Sequence, residues 1–139
     1  MDTSETYVKM CEQVEEIQAQ KREERHKNTG KWIAGDFWTT VFRDGVFIVP
    51  SHEDFWAEEP HYTHHPVECI WLPRQDQLQE MIKSIESSAR ILWCVGCWCN
   101  HNRYAEQFTS MEQLWLAFVM SEKWGKQWIE IKKVGEMLS

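Results

Sequence analysis

Apolar positions in the opening stretch TYVKMCEQVEEIQ fall at Tyr7, Met10, Cys11, Val14 and Ile17. That i, i+3, i+4, i+7, i+10 spacing is one stripe of a helix. The stripe predicts a helix near 4–22, with a solvated tail reaching about Lys27 and a break at Asn28 to Gly30. In DFWTTVFRDGVFIVP two β-rich runs flank Asp44-Gly45. Such a pair suits a two-residue type I′ hairpin turn, which would set Val41 opposite Ile48, Phe42 opposite Phe47 and Arg43 opposite Val46. Trp38, Phe42, Phe47 and Val49 would then share one face, and Phe37, Val41, Val46 and Ile48 the other.

Further along, CIWL (69–72) reads as a short buried strand. Leu78, Met81, Ile82 and Ile85 give a helix near 74–86, with Pro73 suited to its first turn. The run SSARILWCVGCWC is β-branched and aromatic after a Ser-Ser break, and RYAEQF follows a turn at 100–102 as its return strand. A helix at 110–124 is the clearest element. Ser110 with Gln113, or Thr109 with Glu112, makes a capping box, and Met111, Leu114, Trp115 and Phe118 make the buried stripe. Gly125 is its stop. Residues 126–139 fit a terminal strand or a helical turn equally. The expected fold is α+β: one domain over 1–139, an antiparallel sheet of 4–5 strands from 37–49, 69–72 and 90–108, and about three packing helices.

Residues 51–68, SHEDFWAEEPHYTHHPVE, follow no period and hold two prolines. They predict a long loop, the kind of segment that carries function. Within it Phe55 and Trp56 are flanked by Glu53, Asp54, Glu58 and Glu59. Aromatics ringed by carboxylates suit a partner with a basic surface.

Composition sharpens this picture. The chain carries a net charge of −7 and nine tryptophans in 139 residues. The charge disfavours direct nucleic-acid binding. The tryptophan surplus points to some aromatic surface, and a homodimer is left open. No apolar run approaches the ~20 residues of a membrane span, and the N-terminus lacks a secretory pattern. Five cysteines are an odd, clustered set, which suits reduced thiols in the cytoplasm rather than a disulfide framework.

The cluster CVGCWCNH raises zinc. Cys94, Cys97, Cys99 and His101 are the right ligand types, with His61, His64, His65 and Cys69 as further donors. In a regular strand, however, Cys94 faces away from Cys97 and Cys99, and only a bulge at Gly96 would reunite them. The expectation is a strand with core thiols and no bound zinc or other cofactor; those four residues are the ligand set should the strand reading fail. No catalytic motif is legible, so an enzyme is the least favoured class.

IWLPRQDQLQEM (70–81), SMEQLWLAFVMSEKWGKQW (110–128) and YVKMCEQVEEIQ (7–18) resemble segments of small proteins carried by Firmicute prophages and mobile elements. The three segments cover about a third of the chain, and the clustered cysteines lie outside them. That family has no activity that transfers residue by residue. The resemblance implies a phage-related setting inside a bacterial host. There, small acidic proteins act by binding a host or defence component. A non-catalytic interaction protein is the leading expectation. A zinc-stapled module and a small-molecule or nucleotide binder are the alternatives.

Overall fold

The computed structural model describes residues 1–28, 33, 35–40, 45–48, 69–83, 87–101, 103–128 and 137–138. Among them the order is α1 (Glu5–Gln13), α2 (Glu15–Lys27), β1 (Phe37–Thr40), β2 (Val46–Ile48), β3 (Cys69–Leu72), α3 (Gln75–Lys83), α4 (Ser88–His101), a 3-10 turn (Arg103–Gln107), α5 (Met111–Trp124), β4 (Gln127–Trp128) and β5 (Met137–Leu138). Helix and strand are mixed as expected, but the sheet is smaller. It has three antiparallel strands in the order β2-β1-β3, and β4 and β5 form a separate two-stranded ladder. The described residues hold five α-helices rather than three.

The first helix is in fact two. Ser4 caps α1, its hydroxyl accepting from Tyr7 N at 3.2 Å. Val14 leaves helical geometry (φ −90°, ψ 72°) and the chain restarts as α2. Gln18 explains the break. Its Nε2 donates to Cys11 O at 3.0 Å, where a continuous helix would receive a backbone N–H. The same amide bonds Trp71 in both directions, Nε2 to Trp71 O at 2.8 Å and Trp71 N to Oε1 at 2.9 Å. Among the described residues β3 is an edge strand, and Gln18 stands in for a neighbour at Trp71. Gln18→Ala is expected to lower unfolding free energy by ~1–3 kcal/mol, because the N–H and the carbonyl of Trp71 lose the amide, while Cys11 O keeps Val14 N. Urea denaturation checks this, and an unmoved midpoint would mean the edge closes without Gln18.

The hairpin register is corrected. Trp38 pairs with Phe47 and Thr39 with Val46, so six residues, 40–45, separate the paired ends instead of a two-residue turn. The slip is four positions. An even slip preserves side-chain faces, and Trp38 does stack on Phe47 with centroids 4.6 Å apart. β1 is also held from its other side by β3, Trp38 facing Trp71 and Phe37 facing Leu72. Val41, Phe42, Arg43, Asp44 and Val49 lie outside the described residues.

The largest correction is at 90–108, where the described residues form α4 to its end at His101 and a 3-10 turn at Arg103–Gln107 rather than two strands. Ser87 is the cap of α4, not a break: its carbonyl accepts from Ile91 N at 2.9 Å and its hydroxyl from Arg90 N at 3.3 Å. Ile91 and Val95 are buried, with Cys94, Trp98 and Cys99 packed partly beneath. That spacing is helical, and packing followed the period over the β-rich composition.

α5 runs through the centre of the domain. Ser110 accepts from Gln113 N at 3.1 Å, and Gly125 ends the helix in the left-handed region at φ 62°. Leu116, Ala117, Val119 and Met120 are buried as well as Trp115 and Phe118, so burial wraps most of the helix. Met111, expected in the buried stripe, is exposed, and Leu114 is half-buried. Phe108, Tyr104, Trp98, Phe118 and Trp115 form a chain of edge-to-face rings with centroids 5.1, 6.0, 5.5 and 5.9 Å apart. Much of the tryptophan surplus is therefore core. Trp38, Trp71, Trp115 and Trp128 are buried, and Trp93 alone among the described tryptophans is exposed.

Asp2 ties the chain's start to α5. It accepts from Ser110 Oγ at 2.5 Å, Gln113 Nε2 at 2.8 Å and Ser4 N at 2.8 Å. Burial pushes its carboxyl up, but these donors outweigh burial and hold it below the usual range. Glu16 is likewise lowered by Lys126 against burial, and Asp76 is lowered by Arg74. A depressed folded value adds stability above the unfolded value of ~4, and that stability is lost as pH falls through the folded value. The melting temperature is expected to drop from pH 5 towards pH 2, less steeply in Asp2→Asn. Parallel acid curves for the two proteins would contradict this.

Candidate functional site

The residues singled out for partner binding, Glu53, Asp54, Phe55, Trp56, Glu58 and Glu59, lie outside the described residues, as do His61, His64 and His65. Their anchors are described. β2 and β3 flank β1, both antiparallel to it, so they run parallel to each other. Ile48 and Leu72 both pair with Phe37, whereas Cys69 pairs with Thr40. Ile48 thus ends β2 at the Phe37 end of β1, and Cys69 begins β3 at the Thr40 end.

On a helix the cysteine geometry inverts. Cys94, Cys97 and His101, at i, i+3 and i+7, now share one side of α4, and Cys99 leaves it. Among the described residues no group of three His, Cys, Asp or Glu is placed to hold a metal ion. Cys94, Cys97 and Cys99 are half-buried, and Cys11 and Cys69 are buried. Burial pushes the Cys99 thiol up and the Cys11 thiol far up, which keeps both protonated and unreactive. The Cys-x-x-Cys pair sits mid-helix rather than at the N-terminus, where a helix would activate a thiol.

The side of α4 away from Ile91, Val95 and Trp98 faces outward, with Leu92 and Trp93 exposed. Beside it a cleft of about 330 Å³ opens between α3, α4 and α5, floored by Ile91, Leu92 and Trp115 and rimmed by Asp76, Gln79 and Glu80. The buried indole Nε1 of Trp115 has no acceptor among the described residues, as is true of Trp71, Trp98 and Trp128.

A second cleft, about 370 Å³, lies between α2, β3 and α3 against Lys21, Ile33, Trp71 and Met81. Lys21 is 4% exposed, and its Nζ bonds Asp36 Oδ2 at 2.5 Å and Glu24 Oε2 at 2.6 Å, with the Trp71 ring centroid at 4.7 Å. Asp36 is fully buried and also accepts from Ile33 N at 3.0 Å and Gln77 Nε2 at 2.7 Å. Two carboxylates neutralise the lysine, so this floor is not an anion site. It is a buried polar clasp joining α2, the approach to β1, and α3. The sequence reading placed this part of α2 in solvent. The signal was present, since Ile17, Gln18, Lys21 and Arg25 follow one helical stripe, but three of the four are polar.

No protein-family model, curated protein or solved structure matches the chain. Among the described residues no helix is long and apolar enough to cross a membrane.

Proposed function

We propose that this is a non-catalytic, phage-related interaction protein. It acts in the host cytoplasm, binding and inhibiting a host or bacterial-defence protein through the acidic, tryptophan-bearing segment 51–68. Charge placement carries the reading. Residues 51–68 hold Glu53, Asp54, Glu58, Glu59 and Glu68 and no lysine or arginine, so five of the seven net negative charges fall in this one segment. Six of the fifteen lysines and arginines are engaged elsewhere: Lys9 with Glu5, Lys21 with Asp36, Arg22 with Glu15, Lys27 with Glu23, Arg74 with Asp76 and Lys126 with Glu16. Carboxylates concentrated around Phe55 and Trp56 are best matched by a basic external surface with an aromatic pocket.

The test is capture of a partner from host lysate, followed by binding of the purified pair. Trp56→Ala is expected to weaken binding by ~2 kcal/mol or more if the indole is an interface anchor, with the melting temperature unchanged. A variant that loses its fold while binding per folded molecule stays intact would make the segment structural and end this reading.

A further inference from the structure

We infer that Cys94 and Cys97 of α4 form a two-coordinate site for a soft monovalent ion, copper(I), each thiolate supplying one bond. Three residues apart on one helix, they share a side, with Cβ atoms ~5–6 Å apart. Both are half-buried, so the thiols meet solvent on the flank of the helix instead of being sealed in the core. With metal–sulfur bonds of ~2.3 Å, as in zinc thiolates, a linear sulfur–metal–sulfur unit sets its sulfurs ~4.6 Å apart. Two Cβ–Sγ bonds inclined towards each other span that gap with the helix unchanged. A disulfide fits less well. It needs Cβ atoms ~3.5–4.5 Å apart, so closing it would distort α4. The third thiol of the cluster stands apart. Cys99 lies two residues past Cys97, a spacing that does not share a helical side. Burial also pushes its thiol up, which disfavours the thiolate a metal needs.

The donor set selects the ion. Thiolates favour copper(I) over hard cations. Structural zinc closes with four ligands, and catalytic zinc takes three from the protein. Among the described residues no group of three donors is placed for that, whereas a two-coordinate ion is complete with the pair. His101 shares the side but sits seven residues, ~10 Å along the axis, from Cys94, too far to join both sulfurs on one ion. Charge agrees with the assignment. Two thiolates around a monovalent ion leave one net negative charge. Arg90 is exposed one turn before Cys94 on the same side of α4, within reach to offset it.

Anaerobic titration of the fully reduced chain with copper(I), against a chromogenic chelator of known affinity, tests this. One ion per chain is expected, with two sulfur neighbours in X-ray absorption at the copper edge. Cys94→Ser and Cys97→Ser should each weaken binding by ~100-fold or more, because the second sulfur binds intramolecularly. Melting without metal separates a lost ligand from a lost fold. Cys94 packs partly against the core, so Cys97→Ser decides wherever Cys94→Ser melts early. Copper(I) should raise the melting temperature of the wild type and not of Cys97→Ser, since an ion that binds only the folded pair stabilises it. Cys99→Ser should bind as the wild type does. Trp56→Ala should too, which separates this inference from the partner-binding reading. No copper(I) held against the chelator, an equal loss in Cys99→Ser, more than two protein donors at the ion, or zinc bound in preference would each overturn it.

Discussion

Asp36→Ala is expected to lower the unfolding free energy by ~3–5 kcal/mol, since it strips a buried lysine of its buried counter-charge. Lys21 Nζ would keep Glu24, whose side chain is half exposed, so the loss should sit towards the lower end of that range. The substitution also orphans Ile33 N and Gln77 Nε2, both now bonded to Asp36. Glu24→Gln should cost less than ~1 kcal/mol, as an exposed partner contributes little. The double replacement Lys21→Met with Asp36→Leu should recover much of the loss, because removing both charges removes the desolvation problem. Urea midpoints for the four proteins decide it. Equal midpoints for Asp36→Ala and the wild type would show Lys21 to be solvated in solution.

Phe118→Ala is expected to destabilise by a similar ~3–5 kcal/mol through lost burial and the cavity it leaves. The ring is 1% exposed and packs edge-on to Trp98 at 5.5 Å and Trp115 at 5.9 Å, the middle of the aromatic chain that joins α4, α5 and the 3-10 turn. Thermal and chemical unfolding measure the loss. An unchanged midpoint would place the ring at a surface.

The contrast between α5 and α4 shows what the sequence made legible. α5 was readable to within a residue at each end, because cap, apolar period and terminal glycine all agreed. In α4 those cues conflicted. Ile91, Val95 and Trp98 carry the helical period and Ser87 the cap, but cysteines, a glycine and aromatics on the remaining positions gave the run a strand's composition. An apolar exposed face blurs amphipathic contrast, so these residues hid the helix. The polar clasp was illegible for a related reason. Lys21 and Asp36 are fifteen residues apart and charged, and only tertiary packing makes them interior. In the hairpin the faces of Trp38 and Phe47 were readable and the register was not, because pairing with β3 also constrains β1. The proposed partner-binding residues rest on the local chemistry of segment 51–68, where carboxylates and aromatics coincide in the sequence.

The phage-related reading has its consequence in how a partner arrives. Rim carboxylates steer encounter, while a buried indole governs escape. The most direct measurement is the association rate of the captured partner against salt concentration, for the wild type and for Glu58→Gln with Glu59→Gln. The account predicts a wild-type rate that falls steeply with salt and a double variant that is slower and less salt-dependent, with both melting alike. Superimposable salt profiles for the two proteins would contradict an acidic docking segment.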